Sequence, residues 1–459
     1  MAKQQREGVE KQMSAEILKT RAEQGFAEQF TTGKSGLPGA GNAWADGLRD
    51  AAWETYASAG LPHARVEEWK YTDLRRLLKD AYPPVPALSE ALNGEDVSEA
   101  LGRELASLDC HRLVILDGQF RPELSDVKGL EGRGEVISLG EALSNPSDLL
   151  KATLAQLNTP KGDAVIALNT ALMTGGIVLR VEDNAELEKP VHIVHLFAAR
   201  DAASVTSRNV ITIGAGARVT LLESYVSHGS APVQRNVVSE LVAGDKSEVH
   251  HVKFQNENLE SAHLASWMTR LGADVIYRAF QFSIGAAVAR NQIFVTFAGE
   301  GSSSHVSGAV MARANQHNDT TMLIDHAVPA CESREFNKLV LDGSARGIVQ
   351  CKAIVQKNAQ KTDGHQMAQA LLLSEMAEFD SKPELEIFAD DVVCGHGSTS
   401  GQVDDELMFY LRARGIPEPQ ARALLIAAFV GEAIEKIEHE PIREAFLKMA
   451  ETWLASEGA

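Results

Sequence analysis

The sequence predicts a mainly β chain with helical ends: a right-handed parallel β-helix, or β solenoid, flanked by an N-terminal and a C-terminal helical domain. Three observations carry this. Glycine-centred turns recur at a near-constant interval, at Gly214, Gly244, Gly272 and Gly299. Between them, apolar and polar residues alternate in short runs with no helical period. At both ends of the chain the apolar spacing changes to the three-to-four-residue interval of an amphipathic helix. A strand-bearing repeat of this length favours stacked coils, each burying its inner face only against its neighbours. An antiparallel sandwich of regular hairpins is the alternative that the same spacing allows.

The expected organisation is a helical domain with a short strand region over 1–160, a β-helix over 161–402 and a helical domain over 403–459. In the first part, Trp44, Leu48, Ala52 and Tyr56 recur every four residues, and Gly60-Leu61-Pro62 is the stop. Thr72 is placed to cap a second helix with Leu74, Leu77 and Leu78 on one face, and 87–108 reads as helical too. Residues 113–116, followed by Asp117-Gly118, read as a strand and turn. Strand character is expected from about Asp163 onward, through 191–196, and again over 339–355 and 384–393. From Asp404 the pattern is helical: acids at the first turn, Arg412 and Arg414 at the last, and Gly415 before Ile416-Pro417 as the stop. Leu424, Leu425, Ala428 and Phe429 mark a second helix ending near Pro441, and Ile442, Phe446, Met449 and Trp453 a third. A small helical unit after a solenoid either caps the last coil or docks onto something else.

Composition narrows the function. At 459 residues the chain suits about three domains, or one elongated repeat body with appendages. A formal charge of -19 repels phosphate backbones and anionic lipid, so neither nucleic acid nor membrane is an expected partner. No signal-like segment and no run of about 18 apolar residues occurs, which places the expected protein in the cytoplasm. Cys110, Cys331, Cys351 and Cys394 lie far apart, without C-x-x-C pairing, so neither a disulfide framework nor a zinc ribbon is expected.

Several enzymatic signatures are absent. Gly397-Ser398-Thr399-Ser400-Gly401 has threonine where a nucleophile elbow needs serine, and no G-x-x-x-x-G-K-[ST] phosphate loop exists. Gly214-Ala215-Gly216 lies between strands and lacks the third glycine of a dinucleotide loop, so these glycines read as turn residues. His439-Glu440 is followed by Pro441 and has no histidine four residues after His439, which removes a zinc-protease reading. The other histidines (among them His195, His250, His305, His326 and His365) show no repeating ligand spacing, and Cys331 and Cys351 read as small buried hydrophobes. Cys394-Gly395-His396-Gly397 stands apart, because residues i and i+2 of a strand project from one face and offer thiolate and imidazole to one metal ion. Two ligands leave such a site incomplete. The remaining ligands then come from elsewhere, another chain included.

The run 381–397, Ser-Lys-Pro-Glu-Leu-Glu-Ile-Phe-Ala-Asp-Asp-Val-Val-Cys-Gly-His-Gly, resembles a signature of the SufB/SufD family of the bacterial SUF system for iron-sulfur cluster assembly. Gly401-Gln402-Val403-Asp404 and the run 407–416 resemble its entry into C-terminal helices. Arg65 with Glu68, Trp69, Lys70, Tyr71 and Thr72 resembles its N-terminal mark. Cys394-Gly395-His396-Gly397, in place of a His-Glu pair, favours the SufD branch over a SufB-like paralogue. The resemblance implies a non-catalytic scaffold in a SufB-SufC-SufD complex. A SufB heterodimer would form through the β-helix end, with Cys394 and His396 at the junction where a transient iron-sulfur cluster assembles. The C-terminal helices, including Phe409, Tyr410, Arg414 and Gly415, would hold the SufC ATPase. A cysteine desulfurase would connect indirectly, the isolated chain could form a homodimer, and no cofactor would be stably bound by the chain alone. Direct iron ligation, thiolate chemistry and a flavin requirement stay open. The enzyme alternative is a β-helix carbohydrate-active protein using Asp390 and Asp391 as acids.

Overall fold

The structure, a computed structural model, describes residues 19–86, 92–157 and 162–456. Consecutive solenoid strands alternate between two sheets, so each strand pairs with the strand two places before it. Among the described residues ten strands form one sheet, running from Gln119–Phe120 and His111–Leu116 through Val191–Phe197 to Val393–Gly401. Nine form the other, from Gly134–Ser138 and Ile177–Val181 to Glu378–Ile387. Pairing is antiparallel only at the N-terminal edges of the two sheets and parallel everywhere else. The register repeats once per coil: Val288 pairs with His317, and His317 with Arg346, at equal steps along the chain. Hairpins would pair sequence neighbours antiparallel, so these ladders exclude the sandwich and leave the β solenoid.

The laddered glycines serve a purpose other than the turn conformation expected of them. At each corner the left-handed residue stands two positions later, at Gly216 (φ +68°), Lys246 (+60°), Asp274 (+54°) and Gly301 (+75°). The glycine itself lets one coil lie against the last: a Cβ on Gly214 would stand 2.5 Å from Asp183 N and Glu182 C, and one on Gly244 2.8 Å from Ala215 N. Backbone bonds run across these contacts, with Gly244 N donating to Ile213 O and Gly216 N to Asp245 O, both at 2.8 Å. Asp183 and Asp245 each accept from the backbone of the following corner, at Ala215 N and Ala273 N.

Inward residues such as Ile193, Leu221, Val249, Val295 and Ile324 fill the space between the sheets. Each contributes about 1.5–3 kcal/mol by leaving water. Helices cover the outsides. On the nine-stranded sheet lie Arg21–Gly33, Ala43–Ala59 and Ala164–Leu172, the last buried at every position. Residues 164–172 are thus helix, not the strand expected from Asp163 onward. Asn169 holds the helix by donating to Ser207 O and Asn236 O. His111–Leu116 does not close a separate helical region but pairs in register with Val191–Phe197 as part of the ten-stranded sheet. Of the helix expected over 87–108, residues 87–91 lie outside the described residues, as do 1–18 of the N-terminal segment; the remainder forms Gly94–Ala106.

Thr72 caps no helix. It is fully buried and donates to Asp319, which also pairs with Arg290. Arg290 in turn donates to Glu68 O at 2.7 Å and lies 4.1 Å over the Trp69 ring. The N-terminal motif around Trp69 is therefore a clamp on the solenoid wall. It reaches the last coil through Glu67, which Lys382 contacts at 2.5 Å.

The C-terminal helices divide by role. Glu418–Ile434 and Glu440–Ala455 lie against the ten-stranded sheet, with Phe446 fully buried among Phe254, Phe280 and Phe282. Pro441 lies in the first turn of the third helix and does not end the second, which stops at Ile434. These two helices cover the side of the solenoid and not its last coil. Asp405–Ala413, capped by Asp404, buries no residue. Among the described residues no helix is long and apolar enough to cross a membrane.

Gly214→Ala is expected to cost about 1–3 kcal/mol, because its Cβ meets backbone that cannot retreat. Gly47→Ala, with no atom within 4 Å of the added methyl, is the control and should be neutral or stabilising. Urea unfolding of both variants measures the difference.

Candidate functional site

The solenoid has an open end. Its last two strands, Glu378–Ile387 and Val393–Gly401, are each bonded on one side only, to Arg346–Val355 and Asp363–Leu372. No residue of either strand is fully buried, in contrast to the coils before them. Ile387, Phe388 (60% exposed) and Val393 (62% exposed) leave apolar surface there. An edge of this kind offers a row of free N–H and C=O groups to another strand.

Cys394 and His396 sit on that last coil and share its inner face, as the i, i+2 spacing requires. Their partners in register are Gly364 and Gln366, and beneath those lie Ser333 and Glu335. Cys394 packs beside Val355, Ala359 and Ala389, and burial pushes its thiol up. His396 is exposed at the mouth. Gly395 and Gly397 face outward, where a Cβ would meet His365 and Met367. Cys331 and Cys351 are buried, as expected, and all four cysteines are free.

The column below the pair is polar and sparsely paired. Neither polar atom of Gln366 has a hydrogen-bond partner, nor does either ring nitrogen of fully buried His326, and buried Glu335 has the Ser333 hydroxyl beside it. Burial raises Glu335 to about 8 and lowers His326 to about 4, so both are neutral at pH 7. Toward the other end of the solenoid, buried polar groups do find partners: Glu223 accepts from His251 at 2.8 Å, Glu257 from Arg235 at 2.5 Å, and Lys253 donates to Asn291 at 2.6 Å.

Outside the same wall, the register assembles histidines that share no local spacing. His250, Arg278, His305, Arg334 and His365 stack on successive coils and end at Gly395. Each follows the one before by a single coil period, the signal that could have revealed them. They line a cleft of about 730 Å³ between the sheet and the loop before Glu440–Ala455. An acid accompanies each: Glu248 and Glu438 at His250, Glu438 at Arg278, Glu332 at His305, and Asp363 at both Arg334 and His365. The ligand atoms of Glu248, His250 and Glu438 lie within 4.8 Å of one another. Arg278 occupies the other Glu438 oxygen at 2.5 Å, which makes this trio part of an ion-pair network tying the helical loop to the sheet.

The residues expected to meet a partner lie on and just after Asp405–Ala413. Phe409 is 75% exposed and Tyr410 52%. Arg414 stacks over Tyr410 at 4.2 Å, and Gly415 ends the turn at φ +87°. Asp390 and Asp391 stand exposed on the corner before the last strand, Asp391 paired with Lys361. Adjacent acids on a corner do not face each other across a sugar-sized gap.

Comparison with known proteins agrees with this architecture. Residues 195–429 match the family model described as SUF system FeS cluster assembly, SufBD core domain, and residues 20–193 match the SufBD protein N-terminal region. An iron-sulfur cluster assembly SufBD family protein of Synechocystis is 32% identical over 85% of this chain and 86% of its own length. The iron-sulfur cluster assembly protein SufD of Escherichia coli is 29% identical over 84% and 88%, and that of Bacillus subtilis 25% identical over 89% and 94%.

Glu335 sets a pH dependence. Below about 4.5 its carboxyl is protonated in folded and unfolded chains alike; between 4.5 and about 8 only the unfolded chain releases the proton. Stability therefore falls as pH rises through that window, by on the order of a few kcal/mol, and the loss is complete above it. Glu335→Gln should be more stable than the parent at pH 8 and converge with it near pH 4.5. Urea midpoints at pH 5 and pH 8 check this, and equal pH slopes would refute it.

Proposed function

This chain belongs to the SufBD family of the SUF system for iron-sulfur cluster assembly, and from that premise we propose that it is the SufD-type scaffold of an assembly complex, pairing with SufB and docking the SufC ATPase. The observation that carries the reading is the open last coil with Cys394 and His396 on its inner face. A second solenoid that adds its own edge there satisfies the free backbone groups and covers Ile387, Phe388 and Val393. The pair then becomes one side of a junction in which the growing cluster is the cargo, its other ligands coming from SufB. Thiolate and imidazole suit iron and sulfide chemistry.

ATP hydrolysis falls to SufC in this reading, since the chain has no phosphate loop. The SufC surface is the helix Asp405–Ala413 with Phe409 and Tyr410, continued by Arg414 and Gly415. It alone among the C-terminal helices leaves all its residues unburied. Sulfur reaches the complex from a cysteine desulfurase, and the reducing cytoplasm keeps the four free thiols reduced. A homodimer through the same edge is the competing assembly in the absence of SufB.

Cys394→Ala with His396→Ala should lower iron-sulfur cluster formation by the co-expressed complex at least tenfold while leaving its assembly intact. Anaerobic reconstitution followed by absorbance spectroscopy measures this, and unchanged cluster yield would refute the shared site. Removing everything after Asp404 is a poor test of SufC docking, because it would strip Phe446 and its neighbours from the sheet. Phe409→Ala with Tyr410→Ala touches only exposed side chains. It should weaken SufC co-purification at least tenfold with an unchanged circular dichroism spectrum.

A further inference from the structure

Gly364 leaves a gap directly beneath Cys394. It is not in the left-handed region, and a Cβ placed on it would find three polar atoms nearest: Ser333 Oγ at 3.5 Å, Cys394 Sγ at 3.7 Å and His326 Nε2 at 3.9 Å. No backbone atom lies closer, so the space is one methyl group wide and walled by a thiol, a hydroxyl and an imidazole. The three come from different places. Cys394 and Ser333 flank Gly364 above and below in one sheet, and His326 ends a strand of the other. His326 is 0% exposed and stacks on Phe297 at 4.5 Å, yet neither of its nitrogens has a partner. Ser333 Oγ is equally buried, with the Glu335 carboxyl as its hydrogen-bonding neighbour. Leaving a ring such as that of His326 unpaired inside a protein costs free energy. Thiolate, imidazole and hydroxyl together form a donor set for a borderline divalent cation.

We infer that Cys394 and His326, across the gap at Gly364, form an inner metal site of this chain for a single ferrous ion held before it joins the cluster. The inference rests on the scaffold reading above and supplies from within the chain a ligand that the C-x-H spacing left missing. On binding, the Cys394 S–H bond breaks, its proton leaves to solvent through the open end, and a metal–sulfur bond forms with no change of oxidation state. His326 enters as the neutral imidazole and donates a nitrogen lone pair. His396, nearer the mouth on the same face, remains free for the junction.

The test uses the purified full chain under anaerobic conditions, titrated with Co²⁺ alone and followed by its thiolate-to-cobalt charge-transfer absorption. One equivalent should bind with that band present. Cys394→Ser should remove the band, and His326→Asn should weaken binding at least tenfold. Gly364→Ala fills the gap at ordinary contact distances, so it should weaken binding at least tenfold with an unchanged thermal midpoint, which guards against misfolding of the His326 variant. Parent-like binding by both His326→Asn and Gly364→Ala, or no charge-transfer band in the parent, would overturn the inner site. If the Cys394→Ala, His396→Ala complex nevertheless fails to build clusters, the scaffold reading survives and only this inference falls.

Discussion

The in-register parallel hydrogen-bond ladder is the constraint on which the rest of the molecule depends. Parallel strands about 4.8 Å apart repeat the same side-chain position on every coil, so one residue choice is multiplied into a column. Inward apolar columns make the core. The corners must stack as closely as the strands do, which is why glycine stands at 214 and 244 even though the left-handed turn residue is elsewhere. The N-terminal segment is fitted to this wall from outside, through Trp69 and Thr72 on the Arg290–Asp319 pair. The last two helices close the opposite wall over Phe254, Phe280 and Phe282.

The same ladder produces the open end. A stack satisfies every coil but its first and last, and here the first is closed by antiparallel strands and helices while the last is bare. Cys394 and His396 stand where the backbone has hydrogen bonds left to give. Beneath them, the side chains of Gln366 and His326 are buried without hydrogen-bond partners. Buried polar groups without partners are costly in a finished core and useful next to a site that receives ligands.

Much of this was legible in the sequence. The near-constant interval between glycines marked the repeat, and the helix expected from Asp404 to the stop at Gly415 appeared there, with Asp404 as its cap and not part of its first turn. C-x-H on a strand correctly put sulfur and imidazole on one face. Other readings failed where local pattern was overruled by burial. Residues 164–172 are buried on all sides and form a helix enclosed by sheet and helices, an environment in which neither period is displayed. Thr72 looked like a cap but serves Asp319, 247 positions away in the chain. The histidine and arginine column was missed because its members are one coil apart, far beyond the spacing of a local motif.

The sequence by itself determined the repeat, the strand character of each coil and the chemistry available at Cys394 and His396, because period and residue type are local properties that survive without a fold. Only the tertiary structure decided which columns are inner and which outer. It brought His326 and Ser333 to the gap at Gly364, and it left the last coil open with apolar surface beside it. Those outcomes depend on register between strands a full coil apart in the chain and on which outer faces the helices cover. No short window of sequence carries that information, since pairing and enclosure come into being only when the coils stack.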